Sequence, residues 1–151
     1  MSSAIIVVLF LVAIAYYVLV IRGPKPLSIA GFADDNVVAA LNGTVIFNNN
    51  AWNKRFDWKG TAKPGDILLL TVTNTGGSGG IICKISFNGT DYVSSPSLFK
   101  TTSTINAIPT DNVKSWWSTN DISTFGGAQW IWSGTGTDSA SLTNTFSFVL
   151  P

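Results

Sequence analysis

Little in this chain can do covalent chemistry. Its 151 residues include one cysteine, Cys83, and no histidine, and all eight acidic residues are aspartates. Without imidazole there is no Ser-His-Asp or Cys-His arrangement and no histidine ligand for zinc. A lone thiol excludes an intramolecular disulfide framework, which fits a domain facing the cytosol. Chemistry through aspartate alone stays open only on paper. The expectation is a protein that is not an enzyme and holds no cofactor.

What remains are groups that bind. Asp34 and Asp35 are adjacent and can contribute to a calcium site, since hard cations take several carboxylate and carbonyl oxygens. Two neighbouring aspartates without further acidic company are more often a turn or a cap. Trp52, Trp58, Trp116 and Trp117 fall in stretches that read as loops. Their flat apolar faces can stack on sugars or bury in a protein interface; the competing reading is that they plug the ends of the domain. Trp130 and Trp132, two residues apart, are expected in the core. Asn42-Gly43-Thr44 and Asn88-Gly89-Thr90 both match the N-glycosylation sequon. Asn-Gly is also the favoured dipeptide of a type I′ hairpin turn, and that reading is preferred.

The element that must position these groups is the apolar stretch over residues 4–21. It has no charge, proline or glycine, and thirteen of its eighteen residues are Ile, Leu, Val or Phe. A helix of that length spans roughly 27 Å, near the hydrocarbon thickness of a thin bilayer. A buried core helix would show a polar stripe, and this one has none. The expectation is a transmembrane anchor over 1–22. A cleaved signal peptide fits less well, because no basic residue precedes the apolar run. Arg22 and Lys25 follow it, and the positive-inside rule then places the rest of the chain in the cytosol.

Behind the anchor, a linker is expected over 23–31 and one β-domain over 32–151. Gly23-Pro24-Lys25-Pro26 stops the helix. Residues 27–32 read as linker or first edge strand. Strands are expected over 37–41 and 44–47, joined by Asn42-Gly43, followed by a long loop over 48–66. The sequence ILLLTVTN over Ile67–Asn74 alternates clearly, as do 81–87 with Cys83 on the apolar face. A second Asn-Gly turn leads into Thr90–Val93. Residues 101–115 read as loop with a short strand, and further strands are expected over 129–132 and 145–150. The net charge of +1 gives no electrostatic case for nucleic acid. Many short strands and no helical period point to an antiparallel β-sandwich.

Several pieces carry a resemblance. They are Asp34-Asp35-Asn36 leading into a strand, Leu41-Asn42-Gly43-Thr44, and Trp52 in a loop. Lys63-Pro64-Gly65-Asp66 then precedes a strand ending Val72-Thr73-Asn74-Thr75-Gly76-Gly77. Gly80-Ile81-Ile82 leads to Asn88-Gly89, and Ala128-Gln129-Trp130-Ile131-Trp132-Ser133 comes late. Over 31–133 these resemble the galactose-binding-domain-like jelly rolls. The resemblance implies a jelly-roll β-sandwich whose end loops bind sugars or other partners. The family's usual tryptophan after the second hairpin is replaced around 97–100 by Ser-Leu-Phe-Lys.

A small β-sandwich on one apolar span is also similar, in architecture and composition, to minor virion proteins of large double-stranded DNA viruses. These join an internal membrane to the capsid. The expected function is therefore a single-pass, non-enzymatic structural protein. Its partners would be the lipid bilayer and other structural (capsid) proteins, with its domain on the capsid side. The alternative is a membrane-tethered carbohydrate-binding module. A pilin-like subunit fits less well, because Pro24 and Pro26 stop the helix and the chain has no Glu.

Overall fold

Period-two alternation governs the chain behind residue 24, and the computed structural model turns it into two antiparallel sheets. Residues 3–76, 79–101, 104–107, 125–133 and 142–151 are described. Their strands are β1 (Lys25–Asp34), β2 (Asn36–Leu41), β3 (Thr44–Asn49), β4 (Phe56–Ala62) and β5 (Ile67–Asn74). These are followed by β6 (Gly80–Phe87), β7 (Thr90–Val93), β8 (Ile105–Ala107), β9 (Ile131–Ser133) and β10 (Leu142–Val149). One sheet runs β4-β1-β6-β9-β8, with β7 also pairing β6; the other runs β10-β5-β2-β3. The architecture is mainly β, as expected, and consistent with a β-sandwich.

The core lies between the sheets. Leu68, Leu70 and Val72 of β5 are fully buried, with Ile81, Cys83 and Ile85 of β6 and Phe146 of β10. Phe47 stacks on Phe56 with centroids 5.3 Å apart, joining β3 to β4 where the two sheets present their edges. Tyr92 and Phe99 pack on Phe148 from β7 and the segment after it. Both Asn-Gly turns have the expected geometry. Asn42 and Gly43 lie at φ 49° and 80°, Asn88 and Gly89 at 50° and 82°, the positive-φ pair that a type I′ turn requires.

Two expectations are corrected here. Residues 23–31 are not a linker. From Lys25 onward they belong to β1, which lies between β4 and β6 rather than at an edge, with Leu27 and Ile29 buried. The Gly-Pro-Lys-Pro sequence hides a strand because proline at its first turnings reads as a stop, yet Pro26 still offers its carbonyl to Asn88 N–H. The long loop expected over 48–66 contains β4. Its Phe56 and Ala62 face inward while Asp57, Lys59 and Thr61 face solvent, a period of two masked by charge.

The N-terminal stretch forms α1 (Ser3–Tyr16), followed by a π-helical turn over Tyr17–Ile21. Arg22 N–H donates to the Tyr17 carbonyl at 3.0 Å, and Arg22 Nε donates to the Tyr17 hydroxyl. The expected single α-helical membrane span is not found in that form: no helix among the described residues is long and apolar enough to cross a membrane. α1 is 14 residues long, because the helix widens at the tyrosine pair before it ends. Every described side chain from Ile5 to Ile21 is exposed.

Candidate functional site

The strand directions give the sandwich two unlike ends. At the end nearest the helix lie three turns. The Asn42 amide donates to Asp66 Oδ1 at 2.8 Å and its oxygen accepts Ile67 N–H at 2.9 Å. Asp66 Oδ2 accepts Lys63 N–H at 2.7 Å, and Asn88 N–H donates to Pro26 O. The first sequon asparagine thus ties two turns together through both ends of its amide.

A groove of about 470 Å³ runs between this end and the last helical turns. Val18 and Leu19 give it an apolar wall, Arg22 and Lys63 its charge, and Pro24 and Pro64 its rim. Gly23 is required here, since a Cβ on it would sit 2.3 Å from the Leu19 carbonyl oxygen.

At the opposite end lie the loop 50–55, the Asp34-Asp35 corner and Thr75. Trp52 is in that loop and 37 % exposed, the largest exposed aromatic ring of the described domain outside the helix. At the end of the same loop the Arg55 guanidinium lies 5.1 Å over the buried Phe125 ring. Trp58 is not a loop residue: it sits in β4, half-buried against the core, with its ring over Gly60. Of the four tryptophans expected to bind a partner, the structure therefore leaves Trp52 at an exposed loop and assigns Trp58 to packing. Trp116 and Trp117 lie outside the described residues. Trp130 and Trp132 are buried, as expected.

Asp34 and Asp35 stand where the chain passes from one sheet to the other, across a cis peptide bond. Asp35 N–H donates to Thr73 O, and its carboxylate accepts both the N–H and the hydroxyl of Thr75. The corner is thus built as a cap. Burial, then the hydrogen bond and charge of Asp35, push the Asp34 carboxyl up to about 8. Burial works against the Asp35 carboxylate too, but hydrogen bonds from the Thr75 hydroxyl, Asp34 and Thr75 N–H outweigh it and hold the group below the usual range. Asp34 is then a neutral acid donating to Asp35. A neutral acid and a carboxylate committed to Thr75 make a poor calcium cage. Among the described residues no group of three His, Cys, Asp or Glu could hold a metal.

Ser94 had no signal in the sequence. It is fully buried, accepts Cys83 N–H at 3.1 Å and donates to Gln129 O at 2.7 Å, clamping β6 to the segment before β9. Cys83 is sealed beneath it, and burial pushes its thiol up to about 12. Ser94→Ala should leave the buried Cys83 N–H unpaired, remove the part-buried bond to Gln129 O and destabilise the domain by about 1–3 kcal/mol, read by urea denaturation. A loss below a few tenths would show that the clamp is not formed.

No family model, curated protein or solved structure matches the chain.

Proposed function

We propose that this protein is a membrane-anchored, non-enzymatic structural protein whose sandwich docks on other structural proteins. The setting that suits it is a bilayer tied to a shell, as in the minor virion proteins that join an internal membrane to a capsid. One observation carries the reading: a helical stretch apolar on every side leaves all its described side chains uncovered from Ile5 to Ile21. A helix with no polar face finds its solvent in lipid or a protein core, and none of the described sandwich covers it.

α1 alone is about 21 Å long at 1.5 Å per residue, short of a ~30 Å hydrocarbon core. The π turn continues the apolar surface to Ile21, and local thinning of the bilayer closes the difference. Trp52 at the far end then faces away from the bilayer. Its amphipathic ring among Asn50, Asn53 and Lys54 suits an interface centre. β1 spans roughly 30 Å at ~3.3 Å per residue, which sets the distance bridged.

Flotation with phosphatidylcholine vesicles tests the anchor. The full chain should float, and Leu9→Arg with Val12→Arg should stay in the dense fraction. Each arginine costs about 2.5–3.5 kcal/mol at a helix centre, against an insertion gain on the order of 5 kcal/mol. A parent chain that stays in the dense fraction, or a charged variant that floats equally, sinks the reading. Saturable sugar binding lost in Trp52→Ala would instead establish the tethered carbohydrate-binding module.

A further inference from the structure

We propose that the groove between the helix end and the sandwich is a phospholipid site that seats the phosphate of an anionic headgroup on Arg22 and Lys63. This rests on the membrane anchor proposed above and names the lipid class it meets. Three observations converge on the groove.

The first is charge. Arg22 and Lys63 come from separate parts of the chain, the helix end and the β4–β5 turn, and both line the same 470 Å³ space. No carboxylate of a described residue lines it. Asp66, the nearest acid in that turn, is committed to Lys63 N–H and the Asn42 amide. The second is availability. Arg22 spends Nε on the Tyr17 hydroxyl and its face on the Tyr17 ring, 5.6 Å away, which fixes the guanidinium in place. Its two terminal nitrogens, and the Lys63 ammonium, make no ion pair with any described residue. Lys25, by contrast, is turned back onto the Val20 carbonyl. The third is polarity. Val18 and Leu19 form the helix wall, so the groove is apolar along the helix and basic where the helix end meets the sandwich. A phosphate with an acyl chain beside it matches that division; an inorganic anion uses only half.

With the helix in a bilayer, the groove lies at headgroup depth. Juxtamembrane basic residues favour anionic lipid by roughly fivefold each, so two give up to roughly 25-fold and, with salt screening, a preference on the order of tenfold. The full chain would be extracted in neutral detergent with equimolar phosphatidylserine and phosphatidylcholine, and retained lipid counted by native mass spectrometry. Phosphatidylserine should be retained about tenfold over phosphatidylcholine. Arg22→Gln with Lys63→Gln should abolish the preference, while the charge-matched Lys59→Gln with Lys100→Gln keeps it. Equal retention of both lipids by a chain that floats on vesicles overturns the site and leaves the anchor standing. A chain that does not float overturns both. Displacement of the lipid by inorganic phosphate at equal concentration would reassign the groove to a free anion.

Discussion

Replacing Trp132 with alanine should destabilise the domain by about 3–5 kcal/mol, a large part of the 5–15 kcal/mol that holds a domain folded. Among the described residues Trp132 is the largest fully buried side chain, 1 % exposed, and it packs against Phe146 with centroids 6.3 Å apart. It reaches across to the connection before β6, where a Cβ on Gly79 would lie 2.9 Å from its ring. The indole thus fills space between both sheets and the backbone that links them, and such a site has little room to collapse. Trp52→Ala, at the exposed loop, should shift stability by no more than about 0.5 kcal/mol. Urea denaturation of the full chain in mild detergent compares the two. Similar losses in both would mean that Trp52 is core and that the far end offers no aromatic anchor.

The second large effect depends on pH. Asp34 keeps its proton in the folded state up to about 8, whereas the unfolded chain releases it near 3.9. Its contribution to stability is therefore fully present below about pH 4 and is lost as pH rises through about 8. Asparagine matches the neutral acid in shape, still donates to Asp35, and cannot ionise. Asp34→Asn should equal the parent at pH 4 and exceed it by about 2–4 kcal/mol at pH 7.5. Asp35, held low, has the opposite sign: its share is present above the unfolded value and lost as pH falls through the folded one. Melting curves at the two pH values decide the matter. An Asp34→Asn variant less stable than the parent at pH 7.5 would mean that Asp34 is a partnered carboxylate.

The features legible in the sequence are those with a local cause. Asn42-Gly43 and Asn88-Gly89 could be read because positive φ at two successive positions restricts the residue types. β5 could be read because nothing charged interrupts its alternation. β4 was missed since Asp57 and Lys59 decorate its outer face, and with it the placing of Trp58. β1 was read only as a linker or an edge strand, because prolines at its start look like a boundary and nothing local shows that both its flanks are paired. The pair Asp34-Asp35 suggests a turn or cap from its residue types, but the raised affinity of Asp34 for its proton comes from burial that no neighbour in sequence announces. Ser94 and the Arg22–Lys63 groove are likewise products of tertiary proximity, joining residues 35 and 41 positions apart. The apolar stretch was legible in composition, whereas its change from α to π winding at Tyr17 was not.

The position of β1 decides how the molecule takes a pull. Tension on the helix enters the first strand within three residues of Arg22 and travels along it, into the interior of a sheet rather than its rim. Seven register pairs with β4 and eight with β6 then resist sliding together, on both flanks at once. An edge strand would have offered a single ladder. Forced rupture is set by the rate of unfolding rather than by equilibrium stability. A shear joint of this kind yields late and all at once, which is what the proposed tie between a sheet of lipid and a rigid wall would ask of it.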